Sequence, residues 1–240
     1  MKFDDEPDEY ELRQLARNPV NIRLNRELAT CFDRLAVVRN DMKMQSLPTV
    51  AKSTLDVRPI DWTGLNRRYM NPGELEVLVA LVRSVSPRHV IEIGVNTGRT
   101  AKAVLANVPG IEHYTGIDVP LGYVPAKLVQ RNEVPGNPGD LVLDDARFQL
   151  LLRPRGSLDL TPQDLETADA VFIDGDHGHL AVEHDSALAR AVVRRPGIIV
   201  WHDYHTIQTV DVAAVLHQQH AAGHELIHVE GTWLVFERLQ

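Results

Sequence analysis

The chain has 240 residues, a formal net charge of −8, 44% hydrophobic and 24% charged residues. That is enough for one well-buried core with an accessory segment, in ordinary globular proportions. Its single cysteine, Cys31, excludes an internal disulfide and fits a reducing compartment, the cytoplasm. The first residues are acidic, unlike the basic-then-apolar pattern of a secretory leader, and apolar runs such as Val77–Val82 are too short to span a bilayer. Asp4, Asp5, Glu6, Asp8 and Glu9 against Lys2 put −4 of the −8 into the first ten residues. An acidic chain is a poor default binder of nucleic-acid phosphates, which turns the expectation toward a small-molecule substrate. The pairs Arg67–Arg68 and Arg194–Arg195 read as solvated surface.

After the acidic tail, Leu24, Leu28, Phe32, Leu35, Val38 and Met42 follow helical spacing and predict an amphipathic helix over 21–44. Its apolar stripe can pack on its own domain, on a second subunit as a homo-oligomer contact, or over a site as a lid. Residues 46–70, with Pro48, Pro59 and Gly64, show no clean period and read as an irregular connector. Residues 1–70 are therefore expected to form an N-terminal extension and 71–240 the main domain. Asn71-Pro72-Gly73-Glu74 is a helix-start pattern, with Asn as cap, Pro at the first helical position and Glu reaching back. Leu75, Leu78, Val79 and Val82 then form one apolar face.

From Arg88 the pattern alternates. Strands are predicted over His89–Gly94, His113–Asp118, Asp140–Asp144, Ala170–Asp174 and Ile198–His202, with two more at Leu226–Val229 and Trp233–Glu237. Helices are predicted over Gly98–Asn107, near Pro125–Asn132, and over Ala146–Leu152, Leu180–Val193 and Ile207–Ala222. Apolar strands separated by helices mean a parallel sheet covered on both faces. Gly231-Thr232 is too short a link for a crossover helix, so the last two strands must be antiparallel neighbours. The expected fold is α/β: a doubly wound, Rossmann-like seven-stranded sheet with an antiparallel last strand, plus an N-terminal helical extension.

His89-Val-Ile-Glu-Ile-Gly-Val-Asn-Thr-Gly98 reads as a buried strand running into a glycine-bearing turn and a helix. Doubly wound sheets bind ligands at the carboxyl ends of their strands. Gly94 and Gly98 let backbone approach a ligand, and the helix N-terminus offers free N–H groups to a carboxylate. Asp118, ending the second strand, can accept bonds from both hydroxyls of a ribose. The dinucleotide fingerprint G-x-G-x-x-G is not met, because Asn96 stands where its middle glycine makes room for a pyrophosphate. Glu92, two residues before Gly94, disfavours a diphosphate and suits an aminium. The bland alternative is a tight strand-to-helix turn and nothing more.

The blocks Ile91-Glu-Ile-Gly-Val-Asn-Thr-Gly-Arg-Thr100, Gly116-Ile-Asp118, Phe172-Ile-Asp-Gly-Asp-His177 and Pro196-Gly-Ile-Ile-Val-Trp-His-Asp203 together resemble class I methyltransferases that use S-adenosylmethionine (SAM). The resemblance is to the family-24 type, which includes metal-dependent O-methyltransferases of sugars and natural products, and it spans about residues 71–240. It implies that Glu92, Gly94, Asn96 and Gly98 surround the methionine part of SAM, that Asp118 holds the ribose, and that Asp145 and Ala146 contact the adenine edge. It also implies a divalent cation, magnesium or manganese, on Asp174 and the pair His202-Asp203, with His177 as general base. His202 departs from the Asp-Asn and Glu-Asp pairs of such enzymes, and imidazole suits manganese, iron or zinc better than magnesium.

Residue chemistry supports that assignment. Methyl transfer to oxygen needs an in-line acceptor, loss of its proton and stabilisation of the developing alkoxide. Asp174 and His202-Asp203 end neighbouring predicted strands and can converge at the ligand edge. In isolation each has a plainer reading: Asp174 or Asp176 as a helix cap, and His177 as a loop residue. His179, His184 and His205 read as surface or structural, and Asp185 as a solvated helix face, with a supporting position behind the site as its alternative. Two further readings stay open: a metal-independent O- or N-methyltransferase using His177 alone, and a non-catalytic SAM-binding module. Hydride transfer with a nicotinamide cofactor is disfavoured by Asn96.

Overall fold

Apolar side chains on both sides of each central strand dictate a sheet with two covered faces. The computed structural model describes residues 47–65, 71, 73–124, 134–204 and 210–240. Its elements are β1 (Thr49–Val50), α1 (Glu74–Arg83), β2 (His89–Ile93), α2 (Arg99–Asn107), β3 (His113–Asp118), β4 (Phe148–Leu152), β5 (Ala168–Ile173), α3 (His179–Val192), β6 (Val193–Trp201), α4 (Val212–Ala221), β7 (Leu226–Val229) and β8 (Val235–Leu239). In β2, Val90 joins one hydrophobic cluster while Ile91 and Ile93 join the other; in β6, Ile198 and Val200 oppose Ile199 and Trp201 in the same way. Leu78 and Leu81 of α1 with Ala101 and Val104 of α2 close the first face. Val182 and Leu188 of α3 with Val215 and Leu216 of α4 close the second. Each of the Val, Leu and Ile side chains among these contributes about 1.5–3 kcal/mol when fully buried.

The strands lie in the order β1-β7-β8-β6-β5-β2-β3-β4. β6, β5, β2, β3 and β4 are mutually parallel, and β8 is antiparallel to both β6 and β7. This is the expected doubly wound α/β sheet with its antiparallel hairpin, extended by a two-residue edge strand, β1, that runs parallel to β7. The chain divides into two units, Met1–Gln45 and Ser46–Gln240. The stretch read as a connector thus belongs to the main unit: Leu47 and Ile60 are buried, one in each hydrophobic cluster. The acidic tail and the helix expected over 21–44 lie outside the described residues, as do the helix expected near Pro125–Asn132 and the first turn of the one expected from Ile207.

One strand corrects the sequence reading. Residues 140–144 form a turn, and the strand is Phe148–Leu152, where a helix was expected. The apolar run Leu141-Val-Leu143 misleads because its backbone serves the glycine turn after β2. Gly139 and Leu141 donate to the carbonyls of Asn96 and Thr97 at 2.7 and 2.9 Å, and Val142 is buried against Gly98. Phe148–Leu152 pairs with β3 alone at the sheet margin and is partly exposed, so it carries neither a helical period nor a buried run.

Candidate active site

Because the core strands are parallel, the residues after β2, β3, β4, β5 and β6 emerge at one edge. β2 is flanked by β3 on one side and β5 on the other, so the connections diverge there and leave a crevice. A cavity of about 460 Å³ fills it. Its walls come from Ile93–Thr97, Asp118–Val119, Arg155–Leu158, Asp174–His177 and His202–Asp203.

The glycine turn is shaped by contact rather than by length alone. Gly94 has a φ of 89°, and a Cβ there would overlap the carbonyl of Asp174, whose N–H donates to Ile93 at 2.8 Å. Gly98, at φ 85°, does not itself line the cavity; a Cβ would lie 2.7 Å from Val142 Cγ1 in the turn packed beneath it. Asn96 is also left-handed, at φ 51°, a conformation Asn tolerates better than most residues. Its side-chain oxygen accepts the Thr97 N–H at 2.7 Å, and its own N–H donates to Asp118 Oδ2 at 2.7 Å. Asp118 Oδ1 accepts the Val119 N–H at 2.7 Å. Burial raises the Asp118 pKa, these backbone bonds oppose the rise, and the charge of Asp174 adds to it.

Glu92 is placed differently from the expectation. It lies buried in mid-strand behind the cavity wall, accepting the Tyr114 hydroxyl at 2.9 Å, and burial lifts its pKa well above the carboxylate range. Asp145 and Ala146 are corrected. They precede β4 instead of following a strand, Asp145 pairs with Arg147 at 2.6 Å, and neither lines the cavity. The residues that do follow β4 into the wall are Arg155–Leu158.

Asp174, His177, His202 and Asp203 come together as the adjoining ends of β5 and β6. The His202 N–H donates to Ile173 at 3.0 Å, locking the two strand ends side by side. His177 Nε2 lies 2.7 Å from Asp203 Oδ2 and 3.9 Å from Asp174 Oδ1. His202 Nδ1 lies 3.2 Å from Asp174 Oδ1 and 3.3 Å from Asp203 Oδ2. Asp203 holds a left-handed φ of 56°, a conformation that Asp, like Asn, adopts more readily than most residues and one that clusters at functional sites. Burial alone would lower the His177 pKa, but Asp174 and Asp203 overcome it and raise the ring to about 10. His202 is likewise raised against its burial, first by the charge of Asp174. Both carboxylates end below the usual range despite burial, Asp174 first through the charge of His202 and Asp203 first through His177.

This donor set fits a cation. Asp174, His177 and Asp203 each offer a ligand atom within 4.8 Å of the others. Both ring nitrogens of His177 and Nδ1 of His202 are buried without an aligned hydrogen bond. Two carboxylates with imidazole nitrogens aimed at one gap are a ligand set for a divalent ion.

The plainer readings sort themselves by position. Asp176 accepts the Gly178 N–H at 2.8 Å and the Tyr123 hydroxyl at 2.9 Å. His179 faces Glu183 at 3.2 Å, His184 bonds the Ser157 carbonyl at 2.9 Å, and His205 lies outside the described residues. Two buried acids at the site were missed as such. Asp185, expected on a solvated face, is buried behind Gly175. Glu74, expected to cap its helix, does reach back to the Asn71 N–H at 2.8 Å, but also meets His202. The available signal was an acid opening a helix whose next eight residues are nearly all apolar.

A doubly wound sheet closed by an antiparallel hairpin, with a glycine turn after β2 and an acid ending β3, defines the class I methyltransferase fold. Residues 91–204 match the Methyltransf_24 family, described as a methyltransferase domain. Among solved structures, the O-methyltransferase TomG from Streptomyces achromogenes, in complex with SAM, is similar at 14% identity over 78% of this chain and 94% of that one, with a TM-score of 0.50. An O-methyltransferase from Bacillus cereus shares 15% identity over 74% and 86% of the two chains, with a TM-score of 0.48. The methyltransferase PaMTH1 from Podospora anserina shares 12% over 71% and 79%, also at 0.48. No curated protein matches in sequence. No helix among the described residues is long and apolar enough to cross a membrane.

Proposed function

We propose that this protein moves the methyl group of SAM to a hydroxyl oxygen of a small molecule or sugar, with a divalent cation held at Asp174, His202 and Asp203. The observation that carries this reading is the meeting of two carboxylates and two imidazoles in the wall of the cavity that the glycine turn and Asp118 also line. The O-methyltransferase of similar fold supports oxygen as the acceptor.

The chain's own residues divide the work. The backbone around Gly94 and Asn96 receives the methionine part of SAM, and Asp118 accepts from the ribose hydroxyls. Arg155–Leu158, in place of Asp145 and Ala146, border the adenine. A bound cation would stabilise the acceptor's developing negative charge and lower its hydroxyl pKa. With Asp174 and Asp203 taken up as ligands, they would no longer hold a proton on His177, and that ring would be free to take one from the acceptor.

The experiment is turnover of SAM with a panel of phenolic and sugar acceptors, before and after chelation with metal content verified. Chelation should abolish turnover, leave binding of S-adenosylhomocysteine largely intact, and be reversed by manganese or magnesium. Undiminished turnover in metal-free protein would replace this reading with the metal-independent one. Failure to bind either cofactor form would reject both.

A further inference from the structure

Glu74 opens α1 beneath the same cavity and is completely buried. A buried carboxylate is costly unless bonded, and this one is bonded on every side. It stands at a helix N-terminus, where the helix dipole favours an anion. The Asn71 N–H donates to Oε2 at 2.8 Å and the Trp233 N–H donates to Oε1. Oε2 also lies 3.3 Å from Nε2 of His202.

The His202 ring is held on its remaining sides, with its centroid 6.4 Å from that of Phe172 and 6.2 Å from that of Trp233. Its Nδ1 faces the gap between Asp174 and Asp203. A neutral imidazole that donates from Nε2 carries its lone pair on Nδ1. We infer that Glu74 is a positioning residue that fixes His202 in the Nε2-protonated tautomer, so that Nδ1 completes a cation site with Asp174 and Asp203. The inference rests on the cation reading above. It also separates the two imidazoles: His202 is 3% exposed and clamped, while His177 is 13% exposed and left for the acceptor's proton. Carboxylate–histidine–metal relays of this kind set ring orientation and donor strength.

The test uses the full chain labelled with ¹⁵N-histidine, saturated with S-adenosylhomocysteine and titrated with Zn²⁺ as a diamagnetic probe. The His202 signals are identified by their loss in His202→Asn. The expected result is a proton on Nε2 and a metal-shifted Nδ1; zinc on Nε2, or a proton on Nδ1, overturns the inference. Calorimetry with Mn²⁺ should show Glu74→Gln weakening affinity about 10–100-fold with cofactor affinity unchanged. In the His202→Asn background the same change should add little. Equal losses in both backgrounds, or none in either, overturn the positioning role. Wild-type protein that takes up neither Mn²⁺ nor Zn²⁺ overturns the cation reading and this inference with it. Should Glu74→Gln not fold, the wild-type tautomer alone decides.

Discussion

Asp185 sits on α3 with 1% of its surface exposed, and a Cβ added to Gly175 in the cavity wall would lie 3.4 Å from its Oδ2. Burial raises its pKa from an ordinary 3.8 to about 7, opposed by the nearby Ser157 side chain and aided by the charge of Asp176. Between those two pH values the unfolded chain has released a proton that the folded chain keeps. Stability from this group is therefore full below about pH 4, falls as pH rises, and is level above about pH 7. Each tenfold in proton affinity is about 1.4 kcal/mol, so the whole fall amounts to about 4 kcal/mol. Asp185→Asn keeps the shape and cannot ionise. Urea unfolding of both proteins at several pH values from 4 to 8 measures the difference directly. The variant should gain on wild type by about 4 kcal/mol across that range, a shift of between 1 and 2 M in relative urea midpoint at about 2–3 kcal/mol per molar. A stability difference that stays flat with pH, or that turns against the variant as pH rises, would refute the argument that burial holds this carboxyl neutral.

Two further outcomes concern the chemistry. Asp118→Ala should weaken binding of S-adenosylhomocysteine about 10-fold or more, since each bond to a charged group is worth about 1.5–3 kcal/mol; unchanged affinity by calorimetry in a folded variant rejects the ribose assignment. His177→Ala should slow the chemical step about 10²–10⁴-fold while sparing cofactor affinity, with a deficit that shrinks as pH rises and the acceptor ionises unaided. In the same pH–rate series His179→Ala and His184→Ala should keep most activity, and a wild-type profile for His177→Ala returns that ring to a structural role.

Much of the site was legible because its residues sit where strands stop, and strand ends follow from hydrophobic pattern. Ile91–Gly94, Gly116–Asp118, Phe172–Asp174 and Ile198–Asp203 each pair a buried run with an abrupt polar or glycine residue. What failed had a different cause. Leu141-Val-Leu143 imitates a strand because one of its apolar side chains fills space under Gly98, a tertiary demand that no local period records. Phe148–Leu152 lies at the margin with a partner on one side only, and its composition suits helix and strand alike. Asp145 and Ala146 were misplaced through that single displaced strand. Glu74 was seen by its local contact to Asn71, whereas its contacts to His202 and Trp233 span 128 and 159 residues. Contacts of that separation exist only once the sheet has closed.

The position of β8 bears on how the protein is made. It is the last strand in chain order, yet it lies inside the sheet between β6 and β7. At about 5–20 residues per second of synthesis, roughly 2–7 s separate the end of β6 from the start of β8. Throughout that interval the flank of β6, with Ile198–Trp201 fully buried in the finished protein, is an open strand edge. Such an edge templates wrong pairings. During synthesis, a holdase covering that edge until β8 can enter beside β6 would govern the yield of correctly closed sheets.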